Sequence, residues 1–382
     1  MPALDDRELG VVEKIEAVKV NLGYAVRAPR RWTGLLRRNT LGRAIRGSNS
    51  IEGYNVSVED AMAAAQGEDP LDAGAEAWAA VEGYRDAMTY VVQLADDPHF
   101  RFSAGLIRSL HFMMMRHNLD KNPGRWRPGP IYIYDEERKQ TVYEGPDAEL
   151  VPGLMENLVS TLDGPVEAPG VVRAAMGHLN LAMIHPFSDG NGRMARCLHT
   201  LILARQGTLA PAFSSIEEYL GKNQRPYYDV LAEVGRGKWH PENDAGPWIR
   251  FCLRAHYVQA STLLRRSREL ARLWEALEKE VANHGLPERT MYAMADAAMR
   301  YKVRNATYRA AAEISNDLAS RDLKMLVDSG HLLPAGERRG RYYVAAPGLL
   351  AIRARTADAD RRIPDPFEET VAREPYLPGF TM

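Results

Sequence analysis

The sequence has few cysteines, little net charge and no long apolar run. Its 382 residues include two cysteines, Cys197 and Cys252, too few for a disulfide framework or a cysteine-based zinc site, so we expect buried thiols in a reducing compartment. The formal net charge of −1 excludes an attraction of the whole molecule to nucleic acid or anionic lipid. No stretch has the length of a membrane span, and the first residues lack a signal-peptide layout. We therefore expect a cytoplasmic protein with no membrane contact.

Most of the chain has apolar residues at helical spacing, which predicts a mainly α protein. Among the expected helices are 75–94, 171–184, 190–205, 215–233 and 246–277. The segment 131–143 differs, because it alternates isoleucine with tyrosine and then passes through a charged turn into a second short run. That pattern predicts a β-hairpin, which either packs on the helices or offers an edge strand for pairing.

The run HPFSDGNGRMAR at 185–196 joins two of these helices. Gly190 and Gly192 allow close approach of the backbone where a helix begins, and the unpaired N–H groups there favour an anion. Arg193 and Arg196 add two guanidinium groups suited to phosphate oxygens. We expect Asn191 either to hydrogen-bond to phosphate or to shape the loop.

Two further side chains of this run indicate chemistry. Asp189 makes sense beside an anion site if it holds a divalent cation that bridges phosphates. His185 precedes a proline and lies outside the helix, where it can accept a proton from an incoming hydroxyl. Each feature alone is more often structural: a turn, a solvated arginine or a packed histidine. Because all occur within one run, they predict a polyphosphate site that transfers part of a nucleotide to a hydroxyl.

The run also resembles, at every fixed position, the signature of the Fic (filamentation-induced) family, His-Pro-Phe-x-(Asp/Glu)-Gly-Asn-Gly-Arg-x-x-Arg. With the helical pattern and the hairpin, the resemblance covers roughly residues 40–260. It implies a Fic-type helical bundle with a β-hairpin flap, and transfer of AMP from ATP to a protein serine, threonine or tyrosine hydroxyl with Mg²⁺ as cofactor. The resemblance implies that His185 deprotonates the target hydroxyl and that Asp189 binds Mg²⁺. It implies an anion hole formed by Gly190, Asn191 and Gly192. It also implies that Arg193 contacts the β-phosphate and Arg196 the γ-phosphate.

The resemblance extends to two flanking segments. Ile131, Tyr132 and Ile133 resemble the flap that takes a segment of the target protein by strand addition. Asn223 and Tyr228 resemble residues that line the adenosine pocket. Ordinary helix packing or capping explains these last two residues equally well.

An earlier segment, GSNSIEG at 47–53, resembles the family's inhibitory pattern, with Ser48 first, Glu52 as the glutamate and Gly53 as the residue that ends the helix. A carboxylate on Arg196 is expected to make two parallel hydrogen bonds and to prevent that guanidinium from holding the γ-phosphate. Without the motif at 185–196, a capped surface helix is the better interpretation. Some relatives use the glutamate to remove AMP by hydrolysis, and this reverse activity stays open.

The residues after 300 form a separate pattern of helix, helix and basic hairpin, which resembles a winged helix-turn-helix. Residues 301–350 carry eight Lys or Arg and five Asp or Glu, a local excess of three positive charges. The second helix would be the recognition helix, and its residues Asn316, Ser320, Arg321 and Lys324 are polar but not strongly basic. DNA binding and dimerisation or protein contact are equally consistent with this module.

The predicted domains are an N-terminal helical region at 1–100 with an inhibitory helix at about 43–53, a Fic core at 101–260, a helical linker at 261–300, a winged helix at 301–350 and a tail at 351–382. Two hypotheses follow. The first is an autoinhibited protein adenylyltransferase that binds ATP and an unidentified protein target. The second is a DNA-binding transcriptional regulator whose Fic core senses nucleotide or modifies only itself. Either one is compatible with a homo-oligomer.

Overall fold

A computed structural model describes residues 1–27, 31–135, 139–165, 168–207, 213, 215–337 and 340–368. Part of the hairpin's charged turn at 136–138, Arg338 and Arg339 of the basic hairpin, and residues 369–382 of the tail lie outside the described residues. The described chain is mainly helical with short strands, as the sequence predicts. Within those ranges, no helix combines the length and the apolar character needed to cross a membrane.

Among the described residues, ten helices build the part of the molecule that holds the motif. They are α1 (Asp6–Arg27), α2 (Thr33–Ile51), α3 (Val58–Gln66), α4 (Ala75–Leu94), α5 (Ala104–Met115), α6 (Val151–Asp163), α7 (Gly170–Ile184), α8 (Asn191–Ala204), α9 (Glu217–Lys222) and α10 (Gln224–Gly235). Most of their apolar residues share one core, which includes Phe187 of the motif and both cysteines, whereas Leu22 of α1 and Leu35 of α2 lie in a second core. Cys197 and Cys252 are buried free thiols, as expected.

The remaining helices are α11 (Gly246–His284), α12 (Met291–Ala298), α13 (Asn305–Ala312), α14 (Asn316–Asp328) and α15 (Pro347–Thr356). α11 has 39 residues and so is roughly 58 Å long. Its first half packs in the first core through Trp248, and its second half packs in a second core through Leu270 and Leu277. The helix is continuous across the predicted boundary at 260, which explains how the two cores are joined.

Two small sheets complete the fold. In the first, β1 (Tyr132–Asp135) pairs antiparallel with β2 (Gln140–Glu144), and β2 pairs parallel with β3 (Gly237–Lys238). In the second, β4 (Leu332–Ala335) pairs antiparallel with β5 (Tyr342–Ala345), and Val303 pairs with Tyr343. We call residues 291–356 the C-terminal module. Its order of helices followed by a hairpin agrees with the sequence pattern, and the winged-helix assignment stays an interpretation.

One predicted helix is divided in the structure. The expected single helix at 215–233 is wrong, because the chain leaves helical geometry at Asn223, where φ is −125° and ψ is 43°. The Asn223 side chain donates to the Tyr219 carbonyl at 2.8 Å, which satisfies an acceptor at the end of α9. The apolar periodicity continues across the break, so periodicity alone could not locate it.

α2 crosses α9 at unusually close range because both helices have a glycine at the crossing. A Cβ on Gly47 would lie 2.4 Å from the Glu217 carbonyl oxygen, and a Cβ on Gly221 would lie 2.6 Å from the Gly47 Cα. The N-terminal half of α2 contacts the C-terminal module, where Arg43 donates to the Tyr301 hydroxyl at 2.6 Å and Arg38 forms a buried ion pair with Asp296. A single helix therefore runs from the C-terminal module to the motif.

Candidate active site

The loop at 185–190 is shaped by its own backbone. α7 ends at His185, whose φ of 49° is left-handed, and α8 begins after Gly190, whose φ is 75°. The Asn191 side chain accepts the Phe187 N–H at 2.9 Å and donates to the Phe187 carbonyl at 2.8 Å. The Asn191 amide thus shapes the loop and closes it over the buried Phe187 ring, whereas its contact with phosphate stays a prediction.

His111 in α5 holds the same loop from outside the motif. Its Nδ1 accepts the Gly124 N–H at 2.9 Å, so Nε2 carries the proton and donates to the Asp189 carbonyl at 2.8 Å. The ring stacks on Phe187 with centroids 3.6 Å apart. Burial lowers the pKa of His111 to about 4, so the imidazole is neutral near pH 7. Sequence analysis missed this residue, because it lies 78 positions before Asp189 in an ordinary apolar helix.

Arg127 is the second positioning residue that sequence analysis missed. Its Nε donates to the His185 carbonyl at 2.9 Å and its Nη1 to the Gly129 carbonyl at 2.6 Å, while Nη2 donates to the Pro146 carbonyl. The side chain is 3% exposed and links the motif loop to both ends of the hairpin. A basic residue next to the Pro-Gly-Pro turn was the only sequence signal that could have indicated it.

His185 has the protonation pattern of a general base. Its Nδ1 lies 3.1 Å from the Ala182 carbonyl, which can only accept, so Nδ1 carries the proton and Nε2 has the free lone pair. Burial lowers the pKa of His185, although the Ala182 carbonyl and the charge of Glu52 oppose this effect. The side chain is therefore neutral near pH 7 and can accept a proton.

A cavity of about 700 Å³ lies between the motif loop, the hairpin and α10. Ile131, Tyr132 and Ile133 line it on the hairpin side, and His185 and Gly192 line it on the motif side. β2 is fixed to the bundle, because Tyr143 is buried and its hydroxyl donates to the Met183 carbonyl at 2.8 Å. β1 forms the outer edge of the sheet, so the hairpin both packs on the helices and presents an edge strand over the cavity.

Arg196 is buried and contacts the end of α2. Its Nε donates to the Ser48 hydroxyl at 2.8 Å, and its Nη2 donates to the Ser48 carbonyl at 3.0 Å and to Glu52 Oε1 at 2.7 Å. The expected pair of parallel bonds to Glu52 is wrong, because the carboxylate accepts a single bond, from Nη2, which Ser48 also contacts. Nη1 of Arg196 is buried and has no hydrogen-bond partner within the described part of the chain.

Glu52 lies where α8 begins. A Cβ on Gly192 would lie 2.4 Å from Glu52 Oε1, so the missing side chain at 192 makes room for the carboxylate. Burial opposes ionisation of Glu52, but the charges of Arg196 and Arg193 outweigh it and hold the pKa of Glu52 below its ordinary value. Gly53 ends the helix as predicted, with φ of 83° and with the Tyr54 N–H donating to the Asn49 carbonyl at 3.0 Å.

Residues 101–203, which contain the motif and its supporting residues, match the model of the Fic/DOC family. The chain carries a Fic domain. The fold agrees with solved structures: a Fic family protein from Desulfovibrio desulfuricans superposes with a TM-score of 0.58 at 22% identity, over 91% of this chain and 98% of that chain. A Fic-domain signaling protein from Bacteroides thetaiotaomicron gives a TM-score of 0.54 at 20% identity, over 66% of this chain and 96% of that one.

Curated relatives of the Fic domain are named as adenylyltransferases. This chain is 28% identical over 175 residues to the protein adenylyltransferase Fic of Nematostella vectensis, which is 46% of this chain and 37% of that protein. It is 35% identical over 99 residues to a probable protein adenylyltransferase of Aquifex aeolicus, which is 25% of this chain and 31% of that protein. The alignments thus span less than two fifths of these relatives' length.

Arg193 of the Fic domain does not line the cavity. Its side chain is 1% exposed and lies under Tyr54, with the guanidinium 4.9 Å from the ring centroid. Nη2 contacts Met115 Sδ at 2.7 Å, whereas Nε and Nη1 are buried without a hydrogen-bond partner among the described residues. Tyr54, which follows α2 closely in the chain, thus covers the guanidinium that is predicted to contact a β-phosphate.

Asp189 fits the predicted Mg²⁺ ligand by its chemistry. One carboxylate oxygen, Oδ1, accepts the Gly190 N–H at 2.6 Å, and the side chain lines the cavity beside Gly190 and Gly192. Mg²⁺ in proteins is typically held by one or two carboxylates together with substrate phosphates and water. A single carboxylate at the edge of a polyphosphate site is consistent with that donor set.

The two residues predicted to line the adenosine pocket differ in position. Asn223 does not line the cavity, and its amide is bonded to the Tyr219 carbonyl, so the capping alternative describes it better. Tyr228 lines the cavity, and its hydroxyl donates to the Ile51 carbonyl at 3.1 Å. Tyr228 thus connects the adenosine side of the predicted site with the end of α2.

Proposed function

We propose that the protein is an adenylyltransferase that moves AMP from ATP to a hydroxyl of a protein, and that α2 holds it in an inhibited state. The observation that carries the proposal is the position of the Glu52 carboxylate. It occupies the start of α8, against Gly192 and Arg196, where a helix N-terminus and a guanidinium would otherwise bind phosphate.

Unused hydrogen-bond donors support the phosphate site. Arg193 and Arg196 are each 1% exposed, and three of their guanidinium nitrogens have no partner within the described ranges. Buried donors without acceptors are costly, by about 1–3 kcal/mol each and more for charged groups. An anionic ligand with several oxygens, such as a triphosphate, removes that cost.

In the proposed reaction the target hydroxyl oxygen forms a bond to the α-phosphorus of ATP. The bond from that phosphorus to the bridging oxygen breaks, and pyrophosphate leaves. His185 Nε2 takes the hydroxyl proton, while the Ala182 carbonyl keeps the ring in the required tautomer. When bound at Asp189, Mg²⁺ supplies positive charge to the phosphate oxygens. The edge of β1 holds the target segment over the cavity by main-chain pairing.

Inhibition follows from competition for the same groups. With Glu52 in place, Arg196 cannot hold the γ-phosphate, and the triphosphate binds with the α-phosphorus poorly aligned. A displacement of about 1 Å can cost about 100-fold in rate. Because Ser48 and Glu52 both contact Arg196, release requires that the end of α2 move as a unit.

The position of the label on ATP tests the reaction type. Glu52→Gly protein is incubated with Mg²⁺ and with ATP labelled at either the α- or the γ-phosphate, and protein-bound label is measured on the chain itself and on lysate proteins. We expect incorporation from α-labelled ATP only, and loss of it in the double variant with His185→Ala. Incorporation from γ-labelled ATP would indicate phosphoryl transfer and contradict the proposal.

A second function, DNA binding, is supported by one feature of the C-terminal module. A groove of about 780 Å³ between α13, α14 and the second hairpin is lined by Arg304, Arg309, Lys324 and Arg341. Arg309 already lies 3.5 Å from Glu68, and Arg304 donates to the Asp69 carbonyl, so Lys324 and Arg341 are the stronger candidates for phosphate contacts.

Mobility-shift titration with duplex DNA at two salt concentrations tests this function. We expect salt-sensitive binding that Lys324→Glu abolishes. Binding unaffected by that variant would exclude the groove.

A further inference from the structure

Outside the Fic domain site, three potential metal ligands meet where α11 ends against the C-terminal module. Glu280 and His284 lie one turn apart on α11, and His331 directly precedes β4. One ligand atom from each residue lies within 4.8 Å of the other two. Glu280 Oε1 is 3.1 Å from His331 Nε2 and 3.5 Å from His284 Nδ1.

The contacts of His331 direct its Nε2 atom toward the Glu280 carboxylate. The Ser329 hydroxyl is 3.3 Å from the Leu326 carbonyl, to which it can only donate, and 2.8 Å from His331 Nδ1. Without metal, an Nε2–H can donate to Glu280 Oε1 at 3.1 Å as an ordinary hydrogen bond, so the two atoms already face each other. When a metal ion binds Nε2, the ring proton lies on Nδ1, where Ser329 Oγ accepts it while the Ser329 hydroxyl donates to the Leu326 carbonyl.

The spacing of these atoms also suits a small divalent metal. With metal–ligand bonds of about 2.0–2.1 Å, neighbouring ligands of a tetrahedral Zn²⁺ are about 3.3 Å apart. The two measured separations from Glu280 Oε1 lie on either side of that value. Two imidazoles and one carboxylate favour Zn²⁺ and similar late transition metals over Mg²⁺ or Ca²⁺, which prefer oxygen ligands.

We propose that Glu280, His284 and His331 bind one Zn²⁺ or chemically similar divalent ion, with water as the fourth ligand, and that the ion joins the end of α11 to the C-terminal module. Ser329 is the supporting partner that fixes the tautomer of His331. His284 Nδ1 now lies 3.0 Å from the Glu280 carbonyl, and its half-exposed ring releases that contact on binding. The site depends neither on the proposed AMP transfer nor on its inhibition.

Cobalt spectroscopy on the full chain tests the site. Chelator-treated protein is titrated with Co²⁺, whose visible absorption is strong in four-coordinate sites and weak in six-coordinate ones, and then with Zn²⁺ in competition. We expect one four-coordinate Co²⁺ per chain, displaced by Zn²⁺, and a melting temperature that rises with Zn²⁺. His284→Ala and Glu280→Gln should weaken binding by more than about 100-fold, and Ser329→Ala by about 10–100-fold.

Matched controls separate this site from other histidines. His240 faces Glu242 at 3.1 Å as an exposed pair, so His240→Ala should leave the cobalt spectrum unchanged. His185→Ala should leave it unchanged as well, which excludes binding at the motif. A six-coordinate spectrum, or an affinity unaffected by His284→Ala and Glu280→Gln, overturns the proposal. So does a melting temperature that responds to pH but not to metal, because His331 and Glu280 would then form only an ion pair.

Discussion

Glu52 Oε1 lies 2.7 Å from Arg196 Nη2 and occupies the space that Gly192 leaves open at the start of α8. These two residues are 144 positions apart in the chain, and the contact places the end of α2 on the Fic motif. Neither partner is fully exposed: Arg196 is 1% and Glu52 21% exposed at the side chain. The ion pair is therefore less screened by solvent than a surface pair.

Ser48→Ala should partly activate the enzyme. The variant removes the hydroxyl that accepts a hydrogen bond from Arg196 Nε. A hydrogen bond to a charged group is worth about 1.5–3 kcal/mol, so the equilibrium constant for docking of α2 should fall by about 10–100-fold. We expect basal AMP incorporation to rise by about that factor, to a level below that of Glu52→Gly. Ser50→Ala is the control, because Ser50 donates to the Gly47 carbonyl and does not contact Arg196. Equal rates for Ser48→Ala and wild type, with Glu52→Gly active, would refute this role of Ser48.

Gly47→Ala should activate without changing any residue that contacts Arg196. The new Cβ would lie 2.4 Å from the Glu217 carbonyl oxygen, so α2 must move away from α9. Gly34→Ala in the same helix has nothing within 4 Å of its Cβ and should leave activity unchanged, with unfolding free energy raised by about 0.5–1 kcal/mol. Rates of AMP incorporation and urea unfolding curves are measured for both variants. A wild-type rate for a folded Gly47→Ala protein would show that the close crossing does not maintain inhibition.

Arg127→Met should slow transfer by misplacing His185. In the Glu52→Gly background we expect kcat to fall by about 10–100-fold while KM for ATP changes little. The reason is that the Arg127 side chain contacts the His185 carbonyl and the hairpin, and not the residues proposed to hold the triphosphate. Arg125→Met, at an exposed position two residues earlier, is the control. Steady-state kinetics at several ATP concentrations separate the two parameters. A rise in KM with unchanged kcat would place Arg127 in ATP binding instead.

Glu217→Gln should flatten the dependence of stability on pH. Burial raises the pKa of Glu217 from 4.5 to about 7, although the Tyr84 hydroxyl donates to it at 2.5 Å. Between these values the folded protein keeps a proton that the unfolded chain has lost, so the free energy of unfolding falls as pH rises, by at most about 1.4 kcal/mol per pH unit. The stabilising contribution is present below pH 4.5 and is lost as pH rises through about 7.

The measurement for Glu217 is urea unfolding at several pH values between about 5 and 8. We expect the difference between Glu217→Gln and wild type to move in favour of the variant as pH rises. Glu233→Gln, at an exposed position on α10, is the control and should follow wild type at every pH. A difference that stays constant over this range would mean that Glu217 does not titrate there in the folded protein.

The motif loop was the part of the site that the sequence predicted best, because its functional residues are close together in the sequence. His185, Asp189 and the glycines lie within a few residues of one another. The end of α2 at Gly53 was also predictable, since a left-handed glycine ends helices by a local mechanism. His111 and Arg127 were not, because each contacts the loop through space from a distant helix or turn and no spacing rule connects them.

Arg193 and Asn223 show a different limit. The sequence gives Arg193 the same chemistry as Arg196, but the fold places Tyr54 over one and Ser48 beside the other. Asn223 interrupts a helix whose apolar pattern continues, and its side-chain amide caps the end of α9 by donating to the Tyr219 carbonyl. In both cases the tertiary contacts decide the role of a residue, whereas the sequence alone leaves two roles equally consistent.

The most direct test of inhibition by Glu52 compares initial rates of AMP incorporation from α-labelled ATP in wild type, Glu52→Gly and Glu233→Gly, with His185→Ala added to each. We expect the rate of Glu52→Gly to exceed that of wild type by about 100-fold or more. We expect the rate of Glu233→Gly to equal that of wild type, and His185→Ala to remove the gain. A Glu52→Gly rate equal to wild type, in a folded protein that binds ATP, would contradict the claim that Glu52 on Arg196 suppresses the reaction.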